Sequence, residues 1–243
     1  MELIGTCEEM TRVRNLLPRV AAGDSSVLLV GEAGTGREFL ARRIHEGSRR
    51  ADRPFEAVVC GALAGDASEL FGDAARPGVL QRCAGGTVYL ADIEQLPAQV
   101  QAQLARWVDA CAQGEIEAPP RLLASARRPL PPLIARGRFR GDLFYRLSVV
   151  TIRLPALRDR REDVTLFARH FLDLSARMLG KRFDGISAPA LELLRRHRWE
   201  GNLNELSAAM ERAAVIESGR VLTVSSLPPA IASLAAEPLS VAS

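Results

Sequence analysis

Gly31, Glu32, Ala33, Gly34, Thr35, Gly36, Arg37 and Glu38 carry the spacing G-x-x-x-x-G. The apolar run Ser26-Val27-Leu28-Leu29-Val30 precedes them and reads as a buried strand. Residues 39–45 follow and read as a helix. A glycine-rich turn from a strand into a helix N-terminus is the context in which backbone N–H groups and the helix dipole cradle a phosphate. The residue after the last glycine is Arg37, where this chemistry ordinarily uses a lysine. Arginine keeps the charge, so weak phosphate binding is expected, but its longer planar head is not an isosteric replacement. The alternative is a strand-to-helix turn that holds no ligand.

Three further positions could do chemistry. Asp92 follows the apolar run Val88-Tyr89-Leu90-Ala91, at the end of an expected third strand. It is either a site carboxylate or an ordinary turn carboxylate. Arg127 and Arg128 follow the run 121–126, an expected fourth strand. Arg127 either forms a salt bridge to the site or to Asp92, or belongs to a solvated pair. Arg140 and Arg146 stand six residues apart on a segment, 138–147, expected to be helical.

The elements that must position these groups alternate. A helix is expected from Thr6, as N-cap, to about Ala22, with Met10, Val13, Leu16, Leu17 and Val20 on one face. Strands are expected at 26–30, 55–59, 88–91, 121–126 and 149–154, with helices at 39–45, 63–71, 98–111 and 138–147. Residues 73–84 read as a link without pattern. Continuous apolar strands alternating with helices describe a parallel sheet covered on both faces. After Pro155 strands are expected to stop, and helices are expected at 163–179, 187–197 and 203–218. The fold class is therefore α/β, with an α/β core over residues 1–158, a helical part over 159–227 and a short tail over 228–243.

Composition narrows the class. The chain has 243 residues, 47% hydrophobic, with a formal net charge of +3. That is enough apolar material for a core and too little charge for a dedicated nucleic-acid arm, although residues 121–161 are locally basic. Cys7, Cys60, Cys83 and Cys111 form no C-x-x-C pair and read as reduced thiols. No apolar run reaches 18 residues, so no membrane partner is expected, and a cytoplasmic location is.

The chain resembles the central AAA+ domain of the bacterial sigma-54-dependent transcription activators, the enhancer-binding proteins. The resemblance rests on Ile4-Gly5-Thr6, residues 31–38, Ala41-Arg42-Arg43-Ile44-His45, Glu69-Leu70-Phe71-Gly72 and Gly85-Gly86-Thr87. It continues through residues 137–147, Leu154-Pro155-Ala156-Leu157-Arg158, Arg161-Glu162-Asp163 and Trp199-Glu200-Gly201-Asn202. It implies a P-loop AAA+ core with a C-terminal helical lid, assembled as a ring, with ATP between subunits. Nucleotide contacts are implied at Ile4, Gly5, Gly31, Glu32, Ala33, Gly34, Thr35, Gly36, Arg37, Glu38 and the position of Asn204. Catalytic roles are implied for Asp92 and, as fingers reaching a neighbour's site in trans, for Arg140 and Arg146.

The sequence departs from that family at the working positions. Arg37 replaces the loop lysine. The Asp-Glu pair that holds Mg²⁺ and orients water aligns with Ala91-Asp92, so Mg²⁺ loses a carboxylate and the remaining one is a methylene short. Arg127 replaces the sensor asparagine, and Asn204 replaces the lid arginine. The loop carrying Gly-Ala-Phe-Thr-Gly-Ala, which grips sigma-54, has no counterpart in residues 73–84. The sequence-based expectation is a degenerate family member that binds ATP or ADP weakly, hydrolyses ATP poorly, and assembles with itself or an active relative. Direct sigma-54 contact and direct DNA binding are not expected, since no sensor domain precedes Ile4 and no helix-turn-helix follows Ser218. Two alternatives stand beside it: a true ATPase using Arg37 and Asp92, and a protein-interaction scaffold without nucleotide.

Overall fold

The computed structural model describes residues 3–63 and 67–236. Its elements in chain order are α1 (Glu8–Ala22), β1 (Val27–Val30), α2 (Arg37–Glu46), β2 (Phe55–Val59), α3 (Ser68–Phe71), α4 (Val79–Arg82), β3 (Thr87–Ala91), α5 (Ala98–Ala112), β4 (Arg121–Ala126), α6 (Pro131–Ala135), α7 (Gly141–Leu147) and β5 (Val150–Arg153). Then follow α8 (Arg161–Leu179), β6 (Gly185–Ile186), α9 (Ala188–Arg196), α10 (Asn202–Ile216), β7 (Val221–Leu222) and α11 (Pro229–Ala232). The described residues group into two compact units. One comprises residues 12–32, 36–63 and 67–154, the other residues 3–11, 33–35 and 155–236.

The first unit is built on a five-stranded sheet ordered β2-β3-β4-β1-β5. Every strand pair in it is parallel. The inner strands β1 and β4 are buried at every residue, as strands covered on both faces must be. The edge strands β2 and β5 are only partly buried, and Val59 at the end of β2 is exposed. Leu28, Leu90, Leu104, Leu123 and Leu143 are among the fully buried side chains. The register places Val30 beside Ala126 and Leu90 beside Ala124, so the carboxyl ends of β1, β3 and β4 lie together. In an open parallel sheet this is the edge where ligands bind.

The second unit packs α8, α9 and α10 around Trp199, Leu157, Val164, Leu194, Leu206 and Met210. Trp199 is fully buried and its indole N–H donates to the Leu194 carbonyl at 2.8 Å. Ile4 packs against the same core. Lys181 Nζ donates to the carbonyls of Ala214, Val215 and Glu217, satisfying the open C-terminus of α10.

Several local expectations are corrected. Strands do not stop after Pro155, because β6 and β7 form a two-residue parallel pair. The link 73–84 contains α4. Thr6 does not cap α1: its hydroxyl and amide both donate to Asp163 Oδ1, at 2.9 and 2.6 Å. Cys7 Sγ instead accepts from the Met10 amide at 3.4 Å. The helix expected at 138–147 begins only at Gly141, with Arg140 extended at its N-cap. The helix expected at 63–71 appears as Ser68–Phe71, and its residues 64–66 lie outside the described residues, as do 237–243 of the expected tail.

Candidate functional site

The glycine loop leaves β1 and enters α2 as its spacing predicts. Gly31 donates its amide to the Ala126 carbonyl at 3.0 Å, tying the loop's start to β4. Gly36 sits at the N-cap of α2 with φ 100°, a left-handed conformation that glycine adopts without a Cβ clash. Gly34 also has a positive φ, 76°. The loop apex, 33–35, belongs to the second unit, where it receives the start of α10. Leu203 donates its amide to the Gly34 carbonyl at 2.9 Å, and Asn202 Nδ2 donates to the Ala33 carbonyl at 2.9 Å. A Cβ on Gly34 would collide with the Gly201 carbonyl oxygen. Arg160, buried and lying 5.3 Å over the Phe167 ring, donates to the Thr35 carbonyl at 3.3 Å. The bonds from Leu203, Asn202 and Arg160 take up loop carbonyls.

At the carboxyl edge of the sheet, three side chains meet. Arg37 Nη1, from the first turn of α2, donates to Asp92 Oδ1 at 2.7 Å. Arg127, just past β4, donates from Nε and Nη2 to Asp92 Oδ2, at 3.0 and 2.8 Å. Both carboxylate oxygens of Asp92 are therefore held by guanidinium groups. Arg37 and Asp92 are nearly buried, with side chains 10% and 12% exposed, whereas Arg127 is half exposed. Asp92 follows the last residue of β3 with φ 55°, a backbone state that Asp tolerates better than most residues. Burial alone would raise its carboxyl pKa, but the hydrogen bonds and charges of Arg127 and Arg37 outweigh this and hold it below the ordinary value. The same bond raises Arg127.

The surroundings of this cluster were not read from the sequence. Ser125 Oγ accepts the Tyr89 hydroxyl at 2.8 Å and the Asp92 amide at 3.3 Å, and lies 3.5 Å from Arg37 Nη1. Its signal was a polar residue inside the otherwise apolar end of β4. Glu94 Oε1 accepts the Arg127 amide at 3.0 Å, while its Oε2 is buried without a hydrogen-bond partner.

The remaining candidate residues lie as follows. Ile4 and Gly5 are in the second unit, where a Cβ on Gly5 would lie 2.9 Å from Asp163 Oδ2. Glu32 belongs to the first unit, and Glu38 is exposed and pairs with Arg42 at 3.0 Å. Asn204 is exposed on α10, while its neighbour Asn202, a residue the sequence offered only as motif, is fully buried and accepts the Leu157 amide at 2.8 Å. Arg140 forms an exposed pair with Asp142 at 2.6 Å, and Arg146 pairs with Asp109.

The site fits an anion better than a cation. Mg²⁺ binds through carboxylate and other oxygen ligands in octahedral geometry. At the carboxyl end of β3, Asp92 is already bonded by two arginines, Ala91 beside it offers no ligand, and Glu94 two residues on is engaged through Oε1 by the Arg127 amide. No group of three or more His, Cys, Asp or Glu side chains suited to a metal occurs among the described residues.

A parallel sheet of this strand order, with a glycine loop feeding a helix at its carboxyl edge, defines a P-loop nucleotide-binding fold of the AAA+ class. The sigma-54 interaction domain family matches residues 3–153, and the AAA+ ATPase lid domain matches residues 158–241. The chain belongs to the sigma-54 interaction domain family. It is 40% identical over 94% of its length to a putative uric acid sigma-54-dependent transcriptional regulator, UacR, of Escherichia coli K12, covering 42% of that protein. It is 38% identical over 95% of its length to the transcriptional regulatory protein ZraR of Salmonella typhimurium, covering 56% of it. The chain thus spans about half the length of the curated relatives it matches. Among solved structures, NtrX from Brucella abortus in complex with ATP superposes with a TM-score of 0.85 at 32% identity, covering 98% of this chain and 59% of NtrX. The complex with ADP gives 0.84 at 33% identity, over 95% and 56%. No described helix is long and apolar enough to cross a membrane.

Proposed function

We propose that this chain is a regulatory AAA+ module of the sigma-54-activator type whose own site binds ATP or ADP weakly and hydrolyses ATP poorly, and which acts by assembling with itself or with an active relative. The observation that carries the reading is the capture of Asp92 by Arg37 and Arg127. Hydrolysis in this fold needs a cation held near the phosphates and a carboxylate free to orient water. Here Asp92 has both oxygens occupied, Ala91 contributes none, and Glu94 is turned to the Arg127 amide. Losses at groups acting on one reaction do not add, but a single one is typically worth about 10²-fold or more. Nucleotide binding itself is supported by the glycine loop's conformation and by the family neighbours solved with ADP and ATP.

Arg140 and Arg146 are the groups through which such a subunit could serve a neighbour. Their partners, Asp142 and Asp109, are partly exposed, so both guanidinium groups can be released at little cost. Supplied in trans, an arginine of this kind contributes about 10³–10⁵ in rate in comparable phosphoryl transfers. The test is a mixing experiment with an active sigma-54 activator AAA+ module. Stimulation or inhibition of its ATP hydrolysis, lost in the Arg140→Ala and Arg146→Ala variants, supports the reading. Failure to associate with itself or with that partner refutes it.

A further inference from the structure

We infer that this site takes a nucleoside polyphosphate without a metal ion, with Arg37 and Arg127 in the place of the cation and Asp92 as the internal anion they release. The inference rests on the proposed weak nucleotide binding and names its mechanism.

The pairing of charges leads to it. Two guanidinium groups and two carboxylates, Asp92 between the arginines and Glu94 on the Arg127 amide, meet at the carboxyl edge of the sheet beside the N-terminus of α2, so the cluster is charge-balanced and turns positive only when Asp92 is released or neutralised. The N-terminus of α2 favours an anion there. Guanidinium groups bind phosphate oxygens in the same forked manner as carboxylate oxygens. Asp92 presents to the two arginines the oxygens that a phosphate would present. Arg127 is half exposed and carries the outer part of the clamp, so it is able to swing from Asp92 to an incoming phosphate. Arg37 is anchored in the first turn of the phosphate-loop helix, with Ser125 Oγ 3.5 Å from the same nitrogen that holds Asp92.

A cation would act against this arrangement. To bind Asp92 it would have to displace both arginines, and to bind the phosphates it would sit beside two guanidinium groups. Mg²⁺ therefore adds nothing to affinity, and by occupying phosphate oxygens it competes with the arginines. Asp92 likewise competes with the ligand, so neutralising it frees the clamp. An exposed or half-exposed pair of this kind is worth roughly 1 kcal/mol, which converts to about fivefold to tenfold in affinity.

The experiment is calorimetric titration of the full chain with ADP, ATP and inorganic triphosphate, each in excess EDTA and in saturating Mg²⁺. The expected result is an ADP affinity equal in the two conditions or better in EDTA, with triphosphate competing. Asp92→Asn is expected to tighten ADP by about fivefold to tenfold, and Arg127→Gln to weaken it by a similar factor. The opposite signs separate the clamp from general loss of folding, which would weaken both. A tenfold gain on adding Mg²⁺, or an Asp92→Asn variant that is folded and binds no better, overturns the inference. Absence of binding under every condition overturns it too, yet leaves the role in trans standing if the mixing experiment succeeds. Metal-independent binding with no effect on any partner sustains the inference and removes that role.

Discussion

Replacing Asp92 with asparagine should destabilise the protein by an amount the structure allows to be bounded. The amide keeps the shape of the side chain and tolerates the positive φ of 55°. It removes the charge that pairs with Arg37 and Arg127. Breaking a buried ion pair by removing one partner costs about 3–5 kcal/mol, while an exposed pair is worth about 0–1 kcal/mol. The Arg37 contact, with both side chains nearly buried, approaches the first case, and the Arg127 contact the second. An asparagine oxygen still accepts from one arginine, so a loss of about 2–3 kcal/mol is expected. In a chain of this size that lowers the unfolding midpoint by roughly 5–10 °C. The effect is pH-dependent. The folded Asp92 carboxyl is depressed below its unfolded value of about 3.9, so its contribution is fully present above that pH and is lost as pH falls through the folded value. Thermal unfolding followed by circular dichroism at neutral pH and in steps down to about pH 3 reads both features. A gap between wild type and variant below about 1 °C, or a gap that does not narrow in acid, would refute the clamp as drawn.

Other consequences follow from single contacts. Glu217 accepts from Ser226 Oγ, the Gly219 amide, and the hydroxyl and amide of Thr223, and these donors push its carboxyl down to about 2. Glu217→Ala should cost about 1.5–3 kcal/mol in urea unfolding; an unchanged midpoint would contradict that network. Trp199→Ala should cost about 3–5 kcal/mol, since the side chain is fully buried and its N–H is bonded. Gly34→Ala should weaken both folding and nucleotide binding, because the added Cβ meets the Gly201 carbonyl and the backbone is left-handed. Arg140→Ala and Arg146→Ala should each leave the unfolding midpoint nearly unchanged, since both pairs are partly exposed. That leaves any loss of partner stimulation attributable to the missing guanidinium.

Much of the sheet was legible because its signals are local. Apolar runs bounded by Gly, Pro or charged residues gave all five strands of the large sheet to within a residue or two, and the glycine spacing gave the loop. The two-residue strands β6 and β7 are too short to carry any periodicity. Thr6 misled because its partner, Asp163, lies 157 residues away in sequence and outcompetes the helix amide for its bonding capacity. Arg140 was read as helical, yet its amide is bonded to the Gln101 side chain, and the helix starts one residue later. At the site, the residue types were readable but their pairing was not. Arg127 could have faced water or Asp92, and only the side-by-side placement of β3 and β4 decides for Asp92. Ser125 was hidden for the same reason, since one polar residue at a strand's end names no partner.

Steady-state ATP turnover by the purified chain, with Mg²⁺ and across a range of protein concentrations, tests the central claim most directly. The expected rate lies about 10²-fold or more below that of an active sigma-54 activator AAA+ module measured alongside, at every concentration. Mg²⁺-dependent turnover that disappears in the Arg37→Ala variant would show that Arg37 and Asp92 form a working catalytic site, and would contradict it.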